Sequence, residues 1–330
     1  MTFFEELKWR GVVKDISSPE LEEKLNNESL TFYLGTDPTA DSLHIGHYAS
    51  FVTAKRLARH GHKPIILVGG ATGLIGDPRP TAEREIISKE IVAKNIEGLK
   101  KQVESLLEGK AQIVNNYDWT KDVTFLDFLR DIGKYINVNY MLGKDIIARR
   151  LETGITYAEF SYTLLQGFDY LHLFNTYNCT LQAAGSDQWG NITTGIELIR
   201  KIENKEVYGF TMPLILDSTG KKFGKSEGNA LWLDNPIKGK DGKDIVREVA
   251  TMDDGLKFAG DDGQTDDSKV IEYLKVFTFL SKEEIDSLEL EVKNHPENRV
   301  AQKTLAYEVV KDLHGEEEAD KAKEISEKIF

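Results

Sequence analysis

The chain of 330 residues holds a single cysteine, Cys179. That excludes an internal disulfide and any cysteine-based zinc cluster. Long apolar runs are missing as well. The longest, Pro64 to Gly70, falls far short of the ~20 residues that cross a bilayer as a helix. The opening Met1-Thr2-Phe3-Phe4-Glu5-Glu6 has an acidic pair where a secretory leader would be basic and then apolar. We therefore expect a cytoplasmic protein with no membrane contact. Positive charge is in deficit, 42 Lys and Arg against 55 Asp and Glu for a net charge of −13. General, charge-driven nucleic-acid binding is thereby excluded. Local basic pairs remain, Arg149-Arg150, Arg200-Lys201 and Lys221-Lys222, and such pairs are by default solvated surface. No Gly-x-x-x-x-Gly-Lys phosphate loop occurs, so the P-loop class is unsupported.

The length suits two domains, and a hydrophobic content of 40% with 29% charged residues describes a globular chain. Thr31-Phe32-Tyr33-Leu34-Gly35 reads as a short apolar strand, followed by a turn of capping residues, Asp37 to Ser42. A helix then runs to about Arg59, with Gly61 as its stop. Pro64-Ile65-Ile66-Leu67-Val68-Gly69 is continuously apolar, as a parallel strand buried on both faces should be. The theme returns with a strand over Thr180–Ala184, a helix over Ile192–Ile202 and a strand over Phe210–Leu216. Two such halves imply an α/β fold, a doubly wound parallel-sheet Rossmann-like domain that takes ligands at the strands' C-terminal ends.

We expect this catalytic domain to span 1–234, with a helical insertion over about 83–178. Helices are expected there at Thr124–Lys134, Met141–Glu152 and Ala158–Leu173. Phe125, Phe128, Leu129, Tyr135, Val138, Tyr140 and Met141 form either a partner surface or an internal core. A polar, Gly-rich connector follows over 235–268, with one short helical piece at Ile245–Met252. A smaller α-helical domain occupies 269–330. It has helices over Val270–Phe279, from a capping box at Ser281 and Glu284, and over Arg299–Leu313 up to Gly315.

His44-Ile45-Gly46-His47 lies where the first strand turns into its helix. A helix N-terminus offers unpaired N–H groups and positive dipole charge, which attract phosphate. Two imidazoles beside it add donors for developing charge. Far along the chain, Lys222-Phe223-Gly224-Lys225-Ser226 follows a turn, and such a cationic loop can close on a polyphosphate.

Together these two segments resemble the two signature sequences of class I aminoacyl-tRNA synthetases, with Phe-Gly in place of the second signature's usual Met-Ser. Three longer stretches, Asp37 to His44, Gly69 to Pro78 and Gly185 to Ile192, are similar to bacterial tyrosyl-tRNA synthetases. The resemblance covers about 1–234 and 269–330. It implies a tyrosine–tRNA ligase, in which tyrosine's carboxylate attacks the α-phosphate of ATP. Tyrosyl-adenylate and pyrophosphate form, and the tyrosyl group then passes to the 3′ end of tRNA-Tyr. Its implied partners are L-tyrosine, ATP with Mg2+ as a substrate complex, tRNA-Tyr and a second copy of the chain in a homodimer. No protein metal site is expected.

By the same resemblance, Tyr33 and Asp169 match the readers of the substrate hydroxyl. Asp77, Tyr162 and Gln166 match the holders of its ammonium, with Asp37 and Thr39 near the ammonium and the γ-phosphate. Gln188 matches a contact near the reacting carboxylate, and Asp187 the ribose-binding acid. His44 and His47, with Gly35, Gly46 and Gly185, match ATP contacts. Lys222, Lys225 and Arg84 match cations on the pyrophosphate side, and Asn116 and Trp119 a segment on the approach to the tyrosine pocket. Tyr162, Gln166 and Asp169 fall at i, i+4 and i+7, so one helix face presents all three. His60, His62, His172, His295 and His314 lack a motif and read as surface or packing residues.

The chain departs from the family's pattern in three places. Arg79-Pro80-Thr81-Ala82-Glu83-Arg84 replaces the Ser-Gly-Lys that follows Asp-Pro in many relatives. The 235–268 segment stands where relatives carry an aromatic helix. The sequence ends at Phe330, about where a C-terminal RNA-binding module would begin, so tyrosine activation is expected to survive better than tRNA charging. A tryptophanyl enzyme is the near alternative, and a catalytically silent RNA-binding homologue the distant one.

Overall fold

A computed structural model describes residues 1–78, 87–216, 220, 233, 237–238, 244–245 and 267–329. Arg79, Arg84, Lys222 and Lys225 lie outside the described residues, as does most of the connector. Of the helical piece expected at Ile245–Met252 only Ile245 is described, and it stands in a short strand, Asp244–Ile245, rather than a helix. By internal packing the chain forms two compact units. One comprises Met1–Phe4, Val13–Asp41 and Arg56–Pro213; the other comprises Glu5–Val12, Ser42–Lys55 and Leu214–Phe330.

The first unit is built on a six-stranded sheet. Its strands are β1 (Asp15–Ile16), β2 (Thr31–Thr36), β3 (Lys63–Val68), β4 (Gln112–Asn115), β5 (Leu181–Gly185) and β6 (Tyr208–Met212). Their spatial order is β1-β6-β5-β2-β3-β4, parallel throughout except for β1, which runs antiparallel along β6. Chain order reverses between β2 and β5, the switch point at which doubly wound sheets take ligands. Lys63 aside, every residue of β3 is buried, in keeping with a strand covered on both faces.

Ten helices accompany the strands up to residue 203 among the described residues: α1 (Phe3–Trp9), α2 (Glu20–Asn27), α3 (Ile45–Arg59), α4 (Lys89–Leu106), α5 (Tyr117–Thr120), α6 (Phe125–Asp131), α7 (Val138–Leu142), α8 (Asp145–Ala148), α9 (Tyr157–Tyr177) and α10 (Trp189–Glu203). The long helix α9 starts where the Thr156 hydroxyl accepts the Glu159 N–H and stops at Asn178 in the left-handed region. Its first turn is fixed by a buried ion pair in which both terminal nitrogens of Arg150 bond Glu159, at 2.9 and 3.0 Å.

The mostly helical insertion also contains β4, which forms the sheet edge beside β3. One expectation is corrected here. The helix expected over Met141–Glu152 is two short helices, α7 and α8, separated at Gly143 and Lys144. The apolar residues of this region divide between the two roles left open. Phe125, Leu129, Val138 and Tyr140 are exposed, joined by Leu126 at 75% exposure, while Met141 is buried. Phe128 and Tyr135 pack against the core, and Phe128 meets Phe168 edge-on at 6.0 Å.

The second unit is helical in its C-terminal part, over Asp267–Phe277, Lys282–Asn294, Val300–His314 and Glu316–Ile329. The Ser281–Glu284 capping box forms in both directions, and Gly315 ends the third of these helices with φ +91°. The early segments of the unit are bonded to these helices. Arg10 donates to the carbonyls of Lys275, Thr278 and Leu280. Asp312 accepts from both the Tyr48 hydroxyl and the Lys55 ammonium, each at 2.7 Å. No helix among the described residues is long and apolar enough to cross a membrane.

Candidate active site

Tyr33 projects from β2, and burial leaves its hydroxyl with no hydrogen-bond partner. An unpaired buried hydroxyl costs ~1–3 kcal/mol unless something supplies the missing bond. Burial above all, and then the charge of Asp169, hold the Tyr33 phenol well above its ordinary pKa.

Asp169 lies on the buried face of α9. Its two oxygens accept from Asn116 Nδ2 and from the indole N–H of Trp119, each at 2.9 Å. Burial raises its pKa to about 7 against the lowering effect of these two donors. Asn116 is itself fixed: its Oδ1 accepts the Ala71 N–H at 2.7 Å, and its Nδ2 also approaches Thr72 Oγ1 at 3.1 Å. The family resemblance implies that Asn116 and Trp119 lie on the approach to a tyrosine pocket; the structure bonds both directly to Asp169.

A second polar cluster adjoins the first through Thr72, whose hydroxyl donates to Asp37 Oδ1 at 2.7 Å. Asp37 Oδ2 accepts from the Tyr162 hydroxyl at 2.9 Å. Burial, then Asp37 and Asp77, push the Tyr162 phenol far up, so Tyr162 stands in the field of both carboxylates. Asp77 accepts from Gln188 Nε2 at 2.8 Å and from Asn191 Nδ2 at 3.3 Å. The relay continues from Gln166 to Gln188 at 3.0 Å and from Gln182 to Gln166 at 3.1 Å. Gly69 is required beside it, because a Cβ there would fall on the Asp37 carboxylate.

The structure thus brings together Tyr33, Asp37, Asp77, Tyr162, Gln166, Asp169 and Gln188. It adds Thr72, Gln182 and Asn191, of which Thr72 and Asn191 sit inside the motifs already singled out. Gly35 is exposed near the C-terminal end of β2, with nothing within 4 Å of where a Cβ would stand. Gly185 ends β5, and Asp187 is exposed in the turn that follows. Thr39 donates its N–H to the Asp37 carbonyl at 2.8 Å.

His44 and His47 belong to the second unit. They stand at the start of α3 with ring centres 3.9 Å apart. Nδ1 of His44 accepts the Gly46 N–H at 3.1 Å, and Nδ1 of His47 accepts the His44 N–H at 3.4 Å. An Nδ1 used as acceptor places the proton of a neutral imidazole on Nε2, which makes Nε2 a donor. Among the described residues no group of three or more His, Cys, Asp or Glu is placed to hold a metal ion.

Comparison with known proteins gives the family. Residues 25–330 match the family of tRNA synthetases class I (W and Y). Tyrosine–tRNA ligase 2 of Streptococcus thermophilus is 52% identical over 315 residues, 96% of this chain and 98% of its own length. The chain belongs to the tyrosyl-tRNA synthetases of class I. The tyrosine–tRNA ligase of Macrococcus caseolyticus is 50% identical over 99% of this chain and 76% of its own. Among solved structures, a C-terminally truncated mitochondrial tyrosyl-tRNA synthetase of Aspergillus nidulans superposes with a TM-score of 0.84 at 32% identity, covering 100% of this chain and 94% of that one. A tryptophanyl-tRNA synthetase of Encephalitozoon cuniculi gives 0.67 at 15% identity, covering 96% and 87%, and shows the common fold alone.

Proposed function

We propose that the Asp169 and Asp37–Asp77 clusters together bind L-tyrosine, and that the chain acts as a tyrosine–tRNA ligase through them. The observation that carries this reading is the pairing of a buried, unpartnered Tyr33 hydroxyl with a carboxylate held open by two N–H donors. The substrate hydroxyl donates to Asp169 and accepts from Tyr33. Phenylalanine would leave both groups buried and unpaired, and tyrosyl-tRNA synthetases are a standing example of discrimination by this means. An indole offers a donor but no oxygen, which disfavours tryptophan. At the other end Asp37, Asp77, Tyr162 and Gln166 meet the ammonium, and Gln188 lies beside the reacting carboxylate.

In the first step a carboxylate oxygen of tyrosine bonds to the α-phosphorus of ATP as the bond to the β-phosphate oxygen breaks and pyrophosphate leaves. A ribose hydroxyl of the tRNA 3′ end then attacks the carbonyl of the adenylate, and AMP departs. The protein contributes position and charge rather than a nucleophile. The Nε2 donors of His44 and His47 meet the phosphates and ribose of ATP, with Gly46 at the same helix start. Asp187 takes the ribose hydroxyls, with Gly35 and Gly185 leaving room for the nucleotide. Thr39, Arg84, Lys222 and Lys225 serve the leaving pyrophosphate. Mg2+ accompanies ATP as part of the substrate complex.

The catalytic domain spans 1–234 in this reading and the helical domain 269–330, joined by 235–268. The chain works in the cytoplasm as a homodimer. The exposed Phe125, Leu126, Leu129, Val138 and Tyr140 form the contact, since apolar side chains grouped in this way mark interaction surfaces. Leu126→Asp is expected to halve the mass in solution; an unchanged mass removes this face from the dimer. Tyrosine-dependent ATP–pyrophosphate exchange tests the activity itself, and equal exchange with phenylalanine or tryptophan would defeat the reading. Charging of tRNA-Tyr, run beside it, tests the second step.

A further inference from the structure

His172 lies three residues after Asp169 on α9, so both project from one side of the helix. Its imidazole stacks on the indole of Trp119, with ring centres 4.2 Å apart and planes within 12°. The same indole donates its N–H to Asp169 at 2.9 Å. Trp119 is therefore gripped twice by one helix, edge-on by a carboxylate and face-on by a ring. We propose that His172 is a positioning residue for tyrosine selection, which acts through Trp119 to hold Asp169 in the orientation that reads the substrate hydroxyl. The inference rests on the assignment of Asp169 as that reader.

Four observations support it. A cavity of about 400 Å³ is lined by Trp119 and His172 together with Asn115 and Tyr177, so an indole released from the stack has room to turn. Its rotation would take the N–H away from Asp169. Asp169 is already raised to about 7 by burial, with the indole among the few groups that oppose this. Losing that donor favours the protonated acid, which accepts from a phenol more weakly than the carboxylate does. The half-buried position of His172 pushes its own pKa down, so the ring is neutral at neutral pH and serves by packing. The Thr176 hydroxyl lies 3.4 Å from its Nε2, a further contact that fixes the ring.

Pyrophosphate exchange with tyrosine and with phenylalanine, on His172→Ala and His172→Phe, tests the proposal. His172→Ala is expected to raise KM for tyrosine and to narrow the tyrosine-over-phenylalanine ratio by roughly threefold to tenfold, the range of an aromatic pair. KM for ATP should stay unchanged. His172→Phe keeps a flat ring and should recover most of the ratio. An unaltered ratio in His172→Ala, or no recovery in His172→Phe, would overturn the proposal. Asp169→Asn, run in parallel, keeps the two questions separate. If it leaves the ratio intact, the hydroxyl-reader assignment fails; if it collapses the ratio while His172→Ala does not, only the role of His172 falls.

Discussion

The cluster around Asp169 and the cluster around Asp37 and Asp77 are built from similar side chains to opposite ends. At Asp169 one carboxylate is buried with two N–H donors, and a neighbouring phenol has no partner. At Asp37 and Asp77 two carboxylates each have their own donors, the hydroxyls of Thr72 and Tyr162 for Asp37 and the amides of Gln188 and Asn191 for Asp77. The first arrangement leaves specific bonds unmade, and so penalises any ligand that lacks a hydroxyl. The second concentrates negative charge, and so rewards any α-ammonium regardless of side chain. Selectivity and affinity are therefore expected to be separable by mutation, although the clusters are joined through Thr72 and Asn116.

The largest separation should come from Asp77→Asn. Removing one partner of a largely desolvated ionic contact costs about 3–5 kcal/mol. We expect kcat/KM for tyrosine to fall by about 10²–10⁴-fold in pyrophosphate exchange, with the tyrosine-to-phenylalanine ratio unchanged. A changed ratio would mean that the clusters do not act independently.

Asp169→Asn should do the reverse. A charged hydrogen bond of roughly 2–3 kcal/mol is lost, so the ratio should drop by about a hundredfold, with phenylalanine kinetics little altered. A stability signature accompanies it. The folded Asp169 has its pKa raised to about 7, so between its unfolded value of about 4 and 7 the folded state binds more protons than the unfolded one. Asp169 therefore contributes a loss of stability as pH rises through that window. Thermal melts from pH 4 to 7 should show this contribution in the parent chain and its absence in Asp169→Asn; identical profiles would rule out the shift.

The same titration should appear in function. As pH falls through about 7, KM for tyrosine should rise because the protonated acid is a weaker acceptor than the carboxylate, while KM for phenylalanine stays level. The smallest effect belongs to Tyr33→Phe. Only one neutral hydrogen bond disappears, worth about 0.5–1.5 kcal/mol, so tyrosine binding should weaken about twofold to tenfold. Because the mutation also removes an unpaired buried oxygen, free-protein stability should not fall. A lower melting temperature would show that the hydroxyl has a structural partner after all.

Much of this was legible in the chain because its signals are local. Apolar continuity marks β3. Gly61 and Gly315 mark helix ends by their left-handed geometry, and Ser281 with Glu284 marks a helix start that forms as expected. The face shared by Tyr162, Gln166 and Asp169 follows from helical spacing. What was not legible depends on distant partners. β4 is only four residues long and has a polar residue at each end, so it becomes a strand by pairing with β3 and not by its own pattern. The bonds from Asn116 and Trp119 to Asp169 join residues about fifty positions apart, which no periodicity announces. Phe128 and Met141 turn inward while Phe125 and Leu126 turn out, because helices of five to seven residues are too short for a period to declare a face. β6 begins at Tyr208, two residues before the expected start, and it takes its register from β5.

Helix α9 carries Tyr162 toward one cluster and Asp169 toward the other, capped at both ends and pinned at its first turn by Arg150 and Glu159. At about 1.5 Å of rise per residue, the backbone positions that bear these two side chains are held about 10 Å apart along a rigid rod. The helix thus acts as a gauge of length. An amino acid whose polar tip lies nearer to or farther from its ammonium than tyrosine's can satisfy one end of the gauge only by abandoning the other. A single inserted residue between Tyr162 and Asp169 would turn one end by roughly 100° and spoil the measurement altogether.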